Sequence, residues 1–147
     1  MSDLQATTDD IHRLIPVIGA MQIEVVELER TSVAARMPAG PNVNHFGAAY
    51  AGSLFTVAEV LGGLFPRTSL AVEGGVPLVK RIEIDFLRPA TTDVVARATL
   101  GEDEIARVLA EYDERGKSDF VLDVDVTDDH GTVVARTHGT YQLRRLG

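Results

Sequence analysis

A single carboxylate, that of Glu59, interrupts a stretch of apolar and small residues that runs from Phe46 to Phe65. Helix-compatible spacing predicts one helix over residues 48–65, which Pro66 ends. Burying an unpaired carboxylate costs several kcal/mol, so the Glu59 side chain must pair with a cation, carry a proton or lie beside a cavity. No Lys, Arg or His lies one helical turn away. The pattern makes Glu59 the first candidate for chemistry.

On a helix, Glu59 shares one face with mostly small residues, namely Gly52, Phe55, Thr56 and Gly63. Small side chains allow a ligand or another backbone to approach the carboxylate. The alternative interpretation is structural. In that case Glu59 is an exposed residue at a helix edge, or one that is hydrogen-bonded in a dimer interface.

The loop Asn44–Gly52 leads into the predicted helix. Unpaired backbone N–H groups and the positive end of a helix can stabilise an oxyanion as it forms. The alternative is a capping loop whose glycines serve tight packing.

The sequence lacks the residues that several other kinds of active site require. The chain has no cysteine, which excludes thiol nucleophiles, zinc–thiolate sites and disulfides. Its four histidines, at positions 12, 45, 130 and 138, lack metal-ligand spacing, and Ser53 lacks the glycines of a nucleophile elbow. No phosphate-binding or dinucleotide-binding glycine pattern is present. The segment 123–129 has the period of a strand rather than a calcium loop. We therefore expect no metal and no cofactor.

Composition narrows the class of partner. The 147 residues include 14 basic and 22 acidic side chains, a formal charge of −8, and 45% of them are hydrophobic. This balance is typical of a soluble globular protein and disfavours nucleic acid, because scattered cations cannot offset repulsion from phosphates. A carboxylate near the middle of the one apolar stretch argues against a membrane span. No signal-peptide pattern is present at the start, so we expect a cytoplasmic location.

The remaining elements follow from hydrophobic periodicity and turn residues. Thr8 and Pro16 predict an N-capped helix over 8–20 that is interrupted at the proline. Strands are predicted over 21–28, 32–37, 76–87, 93–100, 119–127 and 132–143, and a helix over 102–115 that Gly116 closes. The strand over 76–87 alternates apolar and charged residues, which predicts burial on one side.

These elements predict an α+β fold in a single domain over residues 1–147. Five or six antiparallel strands would form a strongly curved sheet around the central helix. That helix lies between the second and third strands, and its nearly continuous apolar surface has to be enclosed.

The loop and helix together resemble a known family. The pattern Asn44-x-x-Gly47-x-x-Tyr50-Ala51-Gly52, followed by Leu54 to Glu59, is similar to that of hotdog-fold acyl-CoA thioesterases of the phenylacetate-pathway type. The segment 86–90 is similar to the end of that family's long central strand. The helix over 102–115 is an addition, which resembles a less characterised thioesterase-like branch of the superfamily.

Members of that family carry Asn-x-x-Gly-x-x-His-Gly-Gly and an acidic residue nine positions after the His. In this chain Tyr50 replaces the His and Ala51 replaces the first Gly, while Glu59 holds the acidic place. The replacement at Ala51 is compatible with the role there, because the family uses a backbone N–H at this position.

The resemblance implies a dimer or a dimer of dimers that hydrolyses acyl-CoA or acyl-carrier thioesters at the subunit interface. The Ala51 N–H would bind the thioester oxygen, helped by Asn44 or Tyr50, and Glu59 of the other subunit would act as base or nucleophile. Further substrate contacts are expected at His45, Gly47, Gly52 and Thr56. Lys80, Arg81 and Arg88 would meet the CoA phosphates, unless they are solvated strand charges.

Two other functions remain open on the sequence alone. A hotdog hydratase or dehydratase would act on enoyl or hydroxyacyl thioesters through an Asp/His pair, and only His45 lies near the loop. A non-catalytic protein would bind acyl thioesters without turnover, and Tyr50 in place of the His is compatible with such a role.

Overall fold

The computed structural model describes residues 3–146. The helices are α1 (Asp3–Leu14), α2 (Pro16–Ala20), α3 (Ala51–Glu59) and α4 (Glu102–Arg115). The strands are β1 (Glu24–Leu28), β2 (Ser32–Met37), β3 (Gly75–Phe86), β4 (Val94–Thr99), β5 (Lys117–Asp128) and β6 (Val133–Arg145). Short 3₁₀ turns cover Gly40–Asn42, Val60–Gly63 and Phe65–Arg67. No helix in this described part of the chain is both long and apolar enough to cross a membrane.

The six strands form one antiparallel sheet in the order β1-β2-β4-β5-β6-β3. The sheet curves around α3, which contacts every strand from β2 to β6. This arrangement is the hotdog fold, and it confirms the α+β prediction. In chain order α3 lies between β2 and β3, as the sequence predicts.

Alternation along the central strands places the core between the sheet and α3. In β4 the buried hydrophobic residues are Val94, Ala96 and Ala98, and in β5 they are Phe120, Leu122, Val124 and Val126. Every second side chain therefore packs on the helix side of the sheet, while the intervening ones, most of them polar, face the other side. The core that results holds α3 by its apolar side.

The helix α4 has the predicted bounds. Gly116 adopts a left-handed conformation with a φ of 74°, and its N–H donates to the Tyr112 carbonyl at 2.7 Å. A residue without a Cβ takes this conformation without steric cost, which explains why the helix ends there. The last two strands meet at the predicted turn, where the His130 N–H donates to Asp128 Oδ1 at 2.9 Å.

The N-terminal prediction is wrong at its start. Helix α1 begins at Asp3, five residues before the predicted cap at Thr8. The Thr8 hydroxyl is buried and accepts a hydrogen bond from the Val25 N–H at 2.9 Å, so it joins the helix to β1. The interruption at Pro16 is confirmed, because α1 ends at Leu14 and α2 begins at the proline.

The central helix is shorter than the predicted 48–65. Residues 48–50 belong to the preceding loop, in which the Ala49 N–H donates to the Ala90 carbonyl at 2.8 Å. At the other end the chain tightens into the 3₁₀ turn Val60–Gly63. This turn contains two glycines, which are poor helix formers. The helix is also not enclosed by its own chain, since Phe55 lies 36% exposed on its open side.

The prediction that the strand over 76–87 is buried on one side is wrong for the single chain. Strand β3 is an edge strand, and the exposed fractions of Leu78, Val79 and Phe86 are 40%, 49% and 52%. A bulge between Val79 and Arg81 also shifts the alternation. The predicted apolar face therefore does not stay on one side of the strand, and part of it has no cover.

Candidate active site

Glu59 is the last residue of α3, and its side chain is half-buried. Its carboxylate has no hydrogen bond or ion pair with any residue from 3 to 146. Burial therefore raises the pKa of the Glu59 carboxyl above its ordinary value of 4.5, since no cation offsets the loss of water. This is the state expected of a general base rather than of a structural ion pair.

The Glu59 side chain lines a cavity of about 150 Å³. Its other walls are Ile15, Ile18, Val60, Gly62, Gly63, Pro77, Leu78, Val79 and Tyr141. These residues come from the junction of α1 and α2, the turn after α3, and strands β3 and β6. We call this space the Glu59 pocket. Apart from the carboxylate and the Tyr141 hydroxyl, its side chains are apolar.

Tyr141 is a pocket residue that the sequence did not single out. Its hydroxyl donates to the Glu59 carbonyl at 3.3 Å, and its ring stacks on Phe120 with centroids 5.6 Å apart. A Cβ on Gly62 would lie 2.1 Å from that ring, so the turn after α3 rests directly on it. Burial and the nearby Glu59 charge raise the pKa of the Tyr141 hydroxyl. In the sequence Tyr141 looks like any inward residue of β6.

The loop before α3 is held by its own hydrogen bonds. Asn44 Oδ1 accepts from the N–H groups of Phe46, at 2.8 Å, and Ala48, at 3.2 Å. The Tyr50 N–H donates to the Asn42 carbonyl at 2.8 Å. The side-chain oxygen of Asn44 is thus used to shape the loop. The predicted hydrogen bond from Asn44 to the thioester oxygen would therefore have to come from its side-chain NH₂ group.

Two N–H groups at the start of α3 are available to a ligand. The Ser53 and Leu54 N–H groups donate to the Tyr50 carbonyl at 3.0 and 3.1 Å, whereas those of Ala51 and Gly52 have no acceptor within residues 3–146. The Tyr50 ring lies beside them, since a Cβ on Gly52 would come within 2.6 Å of it. The exposed Tyr50 ring would therefore have to move to make room for a larger residue at position 52. This pair of donors has the chemistry of an oxyanion hole.

Ala51, which carries one of the two free donors, lines a second cleft of about 440 Å³. It is lined by Asn44, Phe46, Ala48, Ala49, Ala51, Leu54, Phe86, Leu87, Arg88, Pro89 and Ala90. We call it the loop cleft. It shares no lining residue with the Glu59 pocket.

Within one chain the candidate base and the candidate oxyanion hole are too far apart to act on one carbonyl. Ala51 and Glu59 are eight residues apart on α3, which at 1.5 Å per residue is about 12 Å along the axis. A reacting carbonyl has to lie about 3 Å from both groups. We call the Glu59 pocket and the loop cleft the two half-sites. They belong to different reaction centres unless a second copy of the chain places its loop cleft beside Glu59 and its Glu59 beside the loop cleft.

Three other predicted site residues, Thr56, His45 and Gly47, lie outside both cavities. The Thr56 hydroxyl donates to the Gly52 carbonyl at 2.8 Å, so it is used within the helix. His45 is exposed beside the Phe46 ring, and Gly47 forms the loop's turn with a φ of 80°. None of these three lines the Glu59 pocket or the loop cleft.

The three predicted phosphate-binding cations also differ. Lys80 pairs with Asp119 at 2.7 Å and Arg81 with Glu83 at 2.8 Å, all on exposed strand surfaces. Arg88 lines the loop cleft and forms no ion pair within the described residues. Among residues 3–146 there is also no group of three or more His, Asp or Glu side chains placed to hold a metal ion.

A family model described as a domain of unknown function, DUF4442, matches residues 6–143. The chain belongs to this family. No match is found among curated proteins. The family has the hotdog fold that the sequence pattern predicted, with relatives described as thioesterases.

Solved structures of three bacterial proteins illustrate the relationship. A Pseudomonas aeruginosa protein described as a probable thioesterase is 36% identical, with a TM-score of 0.86 over 95% of this chain and 94% of its own. A Chlorobaculum tepidum protein of unknown function is 17% identical, with a TM-score of 0.86 over 97% and 94% of the two chains. A Haemophilus influenzae thioesterase is 22% identical, with a TM-score of 0.76 over 99% and 93%. The last two share the fold alone.

Proposed function

We propose that this protein hydrolyses acyl thioesters of coenzyme A or of an acyl carrier, with Glu59 as the catalytic carboxylate. The observation that carries the proposal is the half-buried Glu59 side chain, which has no partner within residues 3–146 and faces an apolar cavity. An unpaired carboxylate in such surroundings is costly, and it is expected where chemistry needs a base. The Pseudomonas relative described as a probable thioesterase supports the same reaction class.

The proposed reaction needs only groups that the chain supplies. Glu59 accepts a proton from water while the water oxygen attacks the thioester carbon, and the N–H groups of Ala51 and Gly52 stabilise the resulting oxyanion. Collapse then breaks the carbon–sulfur bond, releasing the acid and a thiol that takes up the proton. In the nucleophilic variant Glu59 attacks first, and water hydrolyses the mixed anhydride.

The separation of the half-sites favours a shared site between two copies of the chain. Strand β3 is an edge strand of twelve residues with exposed apolar side chains, which is the kind of edge that pairs with another strand. A twofold axis beside β3 would bring the Glu59 pocket of one copy to the loop cleft of the other. We propose a dimer, or a dimer of dimers, on this basis.

Arg88 is the best placed of the three cations for a CoA phosphate. It lines the same cleft as Ala51, whereas Lys80 and Arg81 are paired with carboxylates of their own chain. A carrier protein presents a phosphate at the root of its own arm, so this assignment serves both kinds of substrate.

The test replaces Glu59 by Gln and measures free thiol released from a panel of acyl-CoAs. The amide keeps the shape of the side chain but removes its basicity, so turnover should fall by roughly 10²-fold or more. Glu114→Gln is the matched control. Glu114 is exposed on α4, so this substitution makes the same chemical change away from the site. That variant should retain wild-type turnover.

Three outcomes contradict the proposal. Loss of enoyl absorbance without thiol release would indicate a hydratase, and saturable binding without either signal would indicate an acyl-thioester-binding protein. Retained turnover in Glu59→Gln would remove Glu59 from the mechanism.

A further inference from the structure

We propose that the Glu59 pocket holds the acyl group of the substrate, and that Gly63 and Ile15 set its depth so that short acyl groups are preferred. This inference rests on the proposed function and specifies its substrate class. It is argued from the open space at Gly63, the wall made by the junction of α1 and α2, and the apolar lining of the pocket.

Gly63 leaves room in the pocket that a larger residue would fill. It lies one turn after Glu59, and a Cβ built on it meets no atom within 4 Å. The neighbouring Gly62 is different, since a Cβ there would lie 2.1 Å from the Tyr141 ring. Packing of the chain therefore requires glycine at position 62 but not at position 63. The empty volume at Gly63 is available to a ligand beside the carboxylate.

The opposite wall comes from the N-terminal segment. Pro16 ends α1 and starts α2, and this bend places Ile15 and Ile18 against the pocket. Ile18 is buried to 3% exposure and belongs to the core, whereas Ile15 remains 45% exposed at the rim. Truncating Ile15 should therefore enlarge the pocket without removing a core residue.

The chemistry of the pocket matches an uncharged aliphatic acyl group. Its lining is apolar except at Glu59 and the Tyr141 hydroxyl, and about 150 Å³ is small for a ligand site. Each methylene that finds room should raise kcat/KM by up to about fourfold, and the gain should stop where Ile15 and Ile18 are reached. An acyl chain longer than the pocket has to displace these side chains.

The experiment measures kcat/KM for acetyl-, butyryl-, hexanoyl-, decanoyl- and palmitoyl-CoA. The wild type should prefer butyryl or hexanoyl groups. Gly63→Val should shift the preference towards acetyl and lower the hexanoyl-to-acetyl ratio by about tenfold or more, the effect expected from a misfitted methylene in an apolar pocket. Gly63→Ala should shift it less in the same direction. Ile15→Ala should move the optimum to a longer chain.

Matched controls separate pocket shape from general damage. Gly101 precedes α4 with a φ of −69°, and a Cβ there also meets nothing within 4 Å, so Gly101→Val repeats the substitution away from the pocket. Val17 lies on α2 with 56% exposure and does not line the pocket, so Val17→Ala controls for Ile15→Ala. Both controls should keep the wild-type profile, and thermal melting should show that all the variants fold.

The results distinguish a failure of this inference from a failure of the proposed function. Suppose that hydrolysis depends on Glu59 but the wild type, the Gly63 variants and Ile15→Ala share one chain-length profile. That result would overturn the inference about the pocket and leave the proposed thioesterase activity standing. If no acyl-CoA is hydrolysed, the dissociation constants of the same five acyl-CoAs test the pocket directly. An optimum that shifts in opposite directions in Gly63→Val and Ile15→Ala would then support the pocket, and equal affinities would overturn it.

Discussion

At the scale of single residues, Glu59 combines two properties that conflict in a structural role. It is half-buried, and its carboxylate has no hydrogen bond or ion pair within residues 3–146. Other carboxylates of the chain behave in the opposite way. Asp93, for example, accepts hydrogen bonds from the Ala39 N–H and from Arg36, which lower the pKa of its carboxyl. Glu59 therefore weakens the fold where Asp93 strengthens it.

This contrast predicts how stability changes with pH. Because burial raises the folded-state pKa of Glu59 above about 4.5, the folded protein prefers the protonated carboxyl. Below pH 4.5 the carboxyl is protonated in both states, and its burial lowers the free energy of unfolding only slightly. As the pH rises from there through the folded-state pKa, the free energy of unfolding falls. Glu59→Gln should therefore be more stable than wild type, with a gap that grows between about pH 4 and pH 7.5. Each unit of pKa elevation adds about 1.4 kcal/mol to the gap.

Urea unfolding of both proteins at the two pH values, at one protein concentration, measures this gap. Carboxylates such as Asp93 titrate in both proteins, so their contribution cancels in the difference. A wild type that is more stable than Glu59→Gln at pH 7.5 would mean that Glu59 is an ion-pair or interface anchor, which contradicts the assignment.

At the scale of elements, a buried side-chain hydrogen bond helps to attach the N-terminal helix to the sheet. Thr8 is 5% exposed, and its hydroxyl accepts the Val25 N–H of the edge strand β1. Thr8→Val keeps the shape but leaves that N–H buried without an acceptor. We expect the free energy of unfolding to fall by about 1–3 kcal/mol.

Thr7→Val is the control for this prediction, because it makes the same change in helix propensity one residue away, and Thr7 is only partly buried. Chemical denaturation should show a change within about 0.5 kcal/mol for the control. Equal losses in the two variants would mean that the α1–β1 hydrogen bond contributes nothing.

The sequence predicts best those elements whose signals are local. Helix α4 has the predicted bounds because its apolar period, its acidic first turn and Gly116 all lie within the element. Strands β4 and β5 lie where the sequence predicts them. Each is paired with a strand on both sides, so one face is buried and apolar residues alternate with polar ones along the strand. Asn44 and Gly47 lie in a loop, as the sequence predicts, since Asn and Gly have specific turn and capping roles, whereas residues 48–50 of the predicted helix also belong to that loop.

The remaining features depend on contacts between distant parts of the chain. Thr8 has the chemistry of a helix cap, and nothing in the sequence shows that Val25 claims its hydroxyl instead. The early end of α3 depends on Tyr141, which lies about eighty residues later in the chain and requires a glycine at position 62. Tyr141 and Ile15 line the pocket through folding alone, so no spacing pattern could have predicted them.

At the scale of the whole molecule, the two edges of the sheet differ. Strand β1 has only five residues, contacts α1, and its Glu27 pairs with Arg97 at 2.7 Å. Strand β3 has twelve residues, and Leu78, Val79 and Phe86 are exposed along it. Short and covered edges resist pairing, whereas long, uncovered edges with exposed apolar side chains invite it. This asymmetry favours self-association through β3.

A shared site makes a prediction that no single-chain site can satisfy. Glu59→Gln removes the base, and Ala51→Pro removes the N–H of the proposed oxyanion hole. Proline is tolerated at this first helical position, and Tyr50 before it already has a compatible φ of −62° and ψ of 136°. Each variant alone should lose roughly 10²-fold or more in turnover. Circular dichroism and melting should show that both remain folded.

Mixing the two inactive variants after reversible dissociation then tests the arrangement. Half of the randomly formed dimers are mixed, and each mixed dimer has one site that combines the intact Glu59 of one subunit with the intact Ala51 of the other. Activity should therefore return to about one quarter of the wild-type value, because only one of the two sites in half of the dimers is complete. If Glu59 and Ala51 of the same chain acted together, every site in the mixture would lack one group, and activity would stay at the level of the separate variants. Recovery also requires that the protein exchange subunits, which native mass spectrometry of the mixture verifies because the two variants differ in mass. A dimer that exchanges subunits but recovers no activity would contradict the shared thioesterase site.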